Sequence, residues 1–111
     1  MSNLDRLKLL EQFATDEPKD PFNWYALALE TQKKQPEKAL EYFQKLLTEF
    51  PDYLPTYYPA AHFLASLDKL EEAKYTFEKG ISLAKDQSEL KTLRELQNAF
   101  QNFLFENDLD L

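Results

Sequence analysis

Residues 24–47, WYALALETQKKQPEKALEYFQKLL, and residues 57–81, YYPAAHFLASLDKLEEAKYTFEKGI, decide the fold, because the second stretch repeats the first. At a shift of 34, Glu37 falls on Glu71, Ala39 on Ala73, Phe43 on Phe77, Lys45 on Lys79, Leu47 on Ile81 and Thr48 on Ser82. At a shift of 33, Trp24 falls on Tyr57, Tyr25 on Tyr58 and Ala28 on Ala61, so the one-residue difference lies in the turn inside each unit. A fixed period of this size marks stacked repeats, each too small to bury both of its own faces.

Within each unit the apolar spacing is helical. Trp24, Leu27, Ala28 and Thr31 share one face, Ala39, Leu40, Phe43, Leu46 and Leu47 another, and Ala73, Phe77, Gly80, Ile81 and Ala84 a third. Outward from the repeat, Leu4, Leu7, Leu10 and Phe13 form a stripe before it, and Leu90, Leu93, Leu96, Phe100, Phe103 and Leu104 form one after it. The spacing predicts six helices at about 3–15, 21–33, 36–49, 55–67, 70–84 and 87–106, joined by connections short enough to force antiparallel neighbours.

The starts of these helices are written in their caps. Asp20-Pro21 reads as an N-cap followed by Pro at the first helical position, where its missing N–H costs nothing. Gln35-Pro36 repeats the form with a weaker cap, and Leu54-Pro55 is a third start that Pro59 either delays to about Thr56 or distorts. Asp86-Gln87-Ser88-Glu89 has the capping-box pattern, and Ser2 with Asp5 is a looser version of it.

Composition agrees and excludes alternatives. Among 111 residues there is a single Gly, where average usage gives about 8, so turns of positive φ are expected to be nearly absent. Glycine-rich phosphate loops and β-hairpins are excluded with them. Hydrophobic residues at 43% against 30% charged are globular rather than disordered proportions. The net charge of −7 disfavours nucleic acid and anionic membrane surfaces. No cysteine is present, which removes thiolate chemistry and common zinc sites and suits a reducing compartment. The first twenty residues carry charges every few positions, so neither a signal peptide nor a membrane anchor is expected there, and a cytoplasmic location is.

Taken together, the stretches resemble the tetratricopeptide repeat family, whose 34-residue motif alternates large and small residues in this order. One unit, 21–53, supplies Trp24, Leu27, Ala28, Ala39, Phe43 and Pro51, departing at Thr31 and Leu46; the next, 54–87, supplies Tyr57, Ala60, Ala61, Leu64, Ala73, Phe77 and Gly80, with Lys85 in place of the closing Pro. The resemblance implies a single all-α domain: an α-solenoid of antiparallel helix pairs, with a degenerate half-unit helix at 3–15 and a capping helix with a short acidic tail at 88–111. On that reading Lys91, Arg94, Glu95 and Gln101 face water, and Gly80 is tolerated for close packing against the terminal helix.

Catalysis finds little to work with: one histidine, no cysteine and scattered serines give no nucleophile–base pair and no metal cluster. No enzymatic activity, cofactor or metal is expected, and His62 reads more simply as a surface histidine than as an acid–base group. Binding is favoured, because the first helices of stacked pairs line a concave surface. There the spacing groups Phe22, Tyr25, Leu29 and Gln32, and then Pro55, Tyr58, His62 and Ala65. Phe22, Tyr25, Leu29, Tyr58 and His62 are the candidate partner-binding residues, with Phe22 and Leu29 alternatively packing on the N-terminal helix. One subclass of the family grips chaperone C-terminal tails through a clamp of Lys, Asn and Arg. The matching positions here, Tyr25, Leu29, Pro59, Glu89 and Leu93, supply none of these, so an apolar or basic protein or peptide partner is expected rather than an acidic one. The competing expectation is a structural homo-oligomerisation domain, for instance a homodimer, since Phe103, Leu104 and Phe105 cannot all point inward. The same patch could instead dock the acidic tail, or be ordinary exposed surface.

Overall fold

A computed structural model describes residues 3–109. Ser2 of the looser N-terminal cap, and Asp110 and Leu111 of the acidic tail, lie outside the described residues. The described chain is all-α and has no strand: α1 spans Asn3–Asp16, α2 Pro21–Thr31, α3 Pro36–Glu49, α4 Tyr57–Ser66, α5 Leu70–Asp86 and α6 Leu90–Glu106, with a single 3-10 turn at Leu54–Thr56. Two compact units result, Met1–Thr56 and Tyr57–Leu111.

In the first unit α2 packs against both α1 and α3. Asp20 caps α2 as its sequence position implies, its carboxylate accepting the Phe22 N–H at 3.0 Å. Gln35 stands at the N-cap of α3 but makes no side-chain cap bond. The small residues Ala28 and Ala39 are fully buried together with Leu27, Phe43 and Leu46, so helix backbones approach closely where the repeat demands it. Trp24 ties the unit together: its indole N–H donates to the Pro18 carbonyl at 2.9 Å, its ring meets Tyr42 at 6.1 Å, and Lys45 Nζ lies 4.8 Å from the ring centroid. Helix α1 is thinly covered. Leu4 and Phe13 of its predicted stripe are 61% and 46% exposed, and Ala14 is its one buried residue among those described.

In the second unit α5 packs against both α4 and α6. Pro55 does not begin an α-helix directly; a 3-10 turn carries the chain to Tyr57, where the helix containing Pro59 starts. The core is a ring cluster in which Phe77 stacks on Phe100 at 5.5 Å and tilts against Phe103 at 5.4 Å. Of the predicted α6 stripe, Leu96, Phe100, Phe103 and Leu104 are buried while Leu90 is exposed. Gly80 is buried, and a Cβ built on it would meet Tyr57 of α4 as well as Leu96 of α6. Close packing there therefore involves both neighbours and not the terminal helix alone.

Two expectations are corrected at the helix ends. Residues 86–89 do not form a capping box: α5 runs through Asp86, and α6 starts at Leu90 with no side-chain bond from its N-cap Glu89. Positive φ also occurs without glycine, at Asp68 (60°), Ser88 (57°) and Asp108 (53°). Each closes a helix in the same way. The next residue's N–H reaches back five positions, Lys69 to Leu64, Glu89 to Ala84 and Leu109 to Leu104, at 3.0, 2.9 and 2.8 Å. Those bonds satisfy carbonyls the helix would leave orphaned, and they offset the cost of placing Asp or Ser where glycine is customary.

Candidate functional site

Helix periodicity turns α4 and α6 into two facing stripes. On α4, Tyr58 recurs on the same side as His62, Ala65 and Ser66, at offsets of four, seven and eight. On α6, Glu95, Asn98, Asn102 and Glu106 recur at three, seven and eleven. The two stripes bound a groove of about 560 Å³ in the second unit, floored by Phe77 of α5 and by Ala99 and Phe103 of α6.

The walls differ in chemistry. The α4 wall is aromatic: the rings of Tyr58 and His62 lie 4.6 Å apart, and the His62 ring stands edge-on to Phe77 at 5.7 Å. Both side chains are exposed above the buried floor. The α6 wall is polar. Glu95, Asn98, Asn102 and Glu106 are exposed, and none of them makes a side-chain hydrogen bond or ion pair within the described residues. Asn107 at the end of the groove is already engaged, its amide donating to the Phe103 carbonyl at 2.8 Å. No Lys or Arg lines the groove. Such a surface offers apolar area, hydrogen-bonding amides and negative charge, while the Ser66 hydroxyl beside His62 donates to the Phe63 carbonyl at 2.6 Å.

The other sequence candidates fall in the first unit. Leu29 lines a smaller depression of about 390 Å³ with Leu7, Gln32, Lys33 and Lys34. On α1 and α2 beside it, Arg6 and Glu30 pair at 3.1 Å. Tyr25 is half-buried and packs edge-on against Tyr53 at 5.8 Å. Burial raises the pKa of its phenol above the ordinary value, and the same cause acts first on Tyr53, aided there by Tyr25 and Asp20. Phe22 is 57% exposed at the first turn of α2. Of the five candidates, then, the structure brings Tyr58 and His62 together over one groove, sets Leu29 in a separate depression, and turns Tyr25 toward packing. Asn98, Asn102 and the groove role of Glu95 and Glu106 escape sequence reasoning, although their helical spacing beside the Phe100/Phe103 stripe was available to find them.

A family model for the tetratricopeptide repeat matches residues 30–96. Two solved structures are similar to this chain. A solution NMR structure of a tetratricopeptide repeat domain protein from Salinibacter ruber is 38% identical, covers 78% of this chain and 89% of its own, and superposes with a TM-score of 0.72. A crystal structure of a tetratricopeptide repeat domain protein from the same organism is 38% identical, with coverage of 76% and 96% and a TM-score of 0.71. No curated protein matches the chain.

Proposed function

The chain belongs to the tetratricopeptide repeat family, whose members generally mediate protein–protein interaction, and on that footing we propose that it is a non-catalytic interaction module holding a peptide segment of a partner in the α4/α6 groove. The observation that carries this reading is the pairing of an exposed aromatic wall, Tyr58 and His62, with a facing wall of unengaged polar side chains over a buried phenylalanine floor. Aromatic rings bury area at low entropic cost, and free amides recognise backbone. Phe22 and Leu29, both exposed on α2, are a secondary contact surface of the first unit on this reading.

Affinity capture with the wild-type chain and a Tyr58→Ala/His62→Ala variant tests the proposal. A partner retained by the first and lost by the second supports it; equal recovery by both overturns it. A second reading, homo-oligomerisation through the outer side of α6, draws on Phe105, which is 86% exposed. Sedimentation over a range of concentrations separates the two, since a dimer abolished by Phe105→Ala and indifferent to Tyr58→Ala belongs to the second reading alone.

A further inference from the structure

We infer that the α4/α6 groove selects an extended peptide segment of about five residues carrying a basic side chain at each end. The inference rests on the groove reading above and gives it a register and a charge. Glu95 and Glu106 lie eleven residues apart on one face of α6, so at the helical rise they stand roughly 16 Å apart. The first and fifth residues of an extended chain, four steps of some 3.3 Å, lie about 13 Å apart on one side of it, and the length of a Lys or Arg side chain at each end covers the remainder.

Between the two carboxylates the stripe holds only amides toward the groove. Asn98 and Asn102 are four residues apart, about 6 Å along the helix, close to the ~6.6 Å repeat of alternate residues in an extended strand. Alternate peptide groups of such a strand point the same way, so two free amides at this spacing meet two equivalent backbone groups. Among the described residues neither amide is engaged, and the two carboxylates are not engaged either.

Charge complementarity selects the occupant. The titratable groups lining the groove are Tyr58 and His62 on the α4 wall and Glu95 and Glu106 on the α6 wall, with no Lys or Arg to neutralise the carboxylates. An acidic segment would meet only like charge there. A Lys or Arg places its ammonium or guanidinium at a carboxylate and lays its aliphatic stem on the apolar floor. One such residue at each end, with small residues between them over Phe77 and Ala99, satisfies every free polar group on the α6 wall.

A randomised twelve-residue peptide display library, selected on the full chain, tests this directly. The expected result is enrichment of sequences with Lys or Arg about four positions apart, capture that is lost on Tyr58→Ala, and at least tenfold weaker binding of an enriched peptide to a Glu95→Gln/Glu106→Gln variant. These side chains are exposed, so the variant should fold, which its circular dichroism spectrum would check. Enrichment that depends on Tyr58 but shows no basic residues, or binding indifferent to the Gln changes, overturns this inference and leaves the groove reading standing. Enrichment that survives Tyr58→Ala, or no enrichment at all, overturns both.

Discussion

A Cβ built on Gly80 would stand 2.7 Å from the Cβ of Tyr57, closer than real side-chain carbons approach, so α5 meets α4 on the bare Cα of the chain's only glycine. On the α6 side that Cβ would stand 3.3 Å from Leu96 Cδ1, a tight contact that the leucine side chain must shift slightly to accept. The matching position of the first repeat is Leu46, itself fully buried. The two repeats therefore use opposite sizes at one place in the motif, and in the second the absent Cβ lets α5 come against Tyr57 of α4, the floor of the groove against its wall.

Gly80→Ala should destabilise. Ala gains up to about 1 kcal/mol of helix propensity over Gly, but the clash is with a Cβ fixed to the α4 backbone, and overpacking of that kind costs about 1–3 kcal/mol. Thermal unfolding followed by circular dichroism should show a lower Tm for Gly80→Ala and a lower one still for Gly80→Leu. An unchanged or raised Tm would mean that α4 retreats freely.

Ser88→Gly should stabilise. Ser88 holds φ of 57° between α5 and α6, a conformation that strains an L-residue by about 1–2 kcal/mol. Glycine removes that strain and gives back part of the gain through the greater freedom of the unfolded chain. A net rise of up to ~1 kcal/mol in urea unfolding is expected, with a smaller one for Asp68→Gly because Asp tolerates the left-handed region better. A loss of stability would contradict the account of these helix ends.

The caps of α2 and α3 should respond in opposite directions. Asp20→Ala removes the bond to the Phe22 N–H and is expected to cost about 0.5–2 kcal/mol. Gln35→Asp supplies a side-chain acceptor where none is used, and should add up to about 1 kcal/mol. Denaturant midpoints of the two variants against wild type check both signs at once.

Alkaline pH should weaken the first unit. Burial raises the pKa of Tyr25, Tyr42 and Tyr53, with nearby Glu11 and Glu41 adding to the effect on Tyr42. The folded state therefore holds these protons more tightly than the unfolded chain does. Their contribution is complete below the unfolded value near 10 and is lost as pH rises through the folded values. Unfolding free energy measured from pH 8 to 11.5 should fall above about pH 10, and Tyr25→Phe/Tyr53→Phe should fall less steeply.

Much of this was legible in residue order. Small residues facing small ones, Ala28 with Ala39 and Ala61 with Ala73, made the helix pairs readable, and Asp20-Pro21 marked one helix start to the residue. The helix ends were harder. Counting glycines ties positive φ to one residue type, whereas six-residue closures at Asp68, Ser88 and Asp108 regain backbone hydrogen bonds and let Asp or Ser serve. Those same bonds are why residues 86–89 end α5 instead of capping α6.

The groove was half legible for a related reason. Tyr58 and His62 stood out as aromatic groups on a face apart from the buried stripe. Glu95 read as part of the water-facing side of a cap, and Asn98 and Asn102 drew no reading, because polar residues on a terminal helix look alike whether they face bulk solvent or a groove. Only their position across from Tyr58 and His62 distinguishes them. Tyr25 shows the reverse, since spacing alone does not reveal that its half-buried ring packs on Tyr53.

The most direct test of the central claim is an amide chemical-shift map of the full ¹⁵N-labelled chain titrated with a peptide enriched on it. The account predicts the largest shifts on α4 and α6, at Tyr58, His62, Asn98 and Asn102, all of them abolished by Tyr58→Ala/His62→Ala. Shifts centred on α1 and α2, or on the outer side of α6 around Phe105, would contradict it.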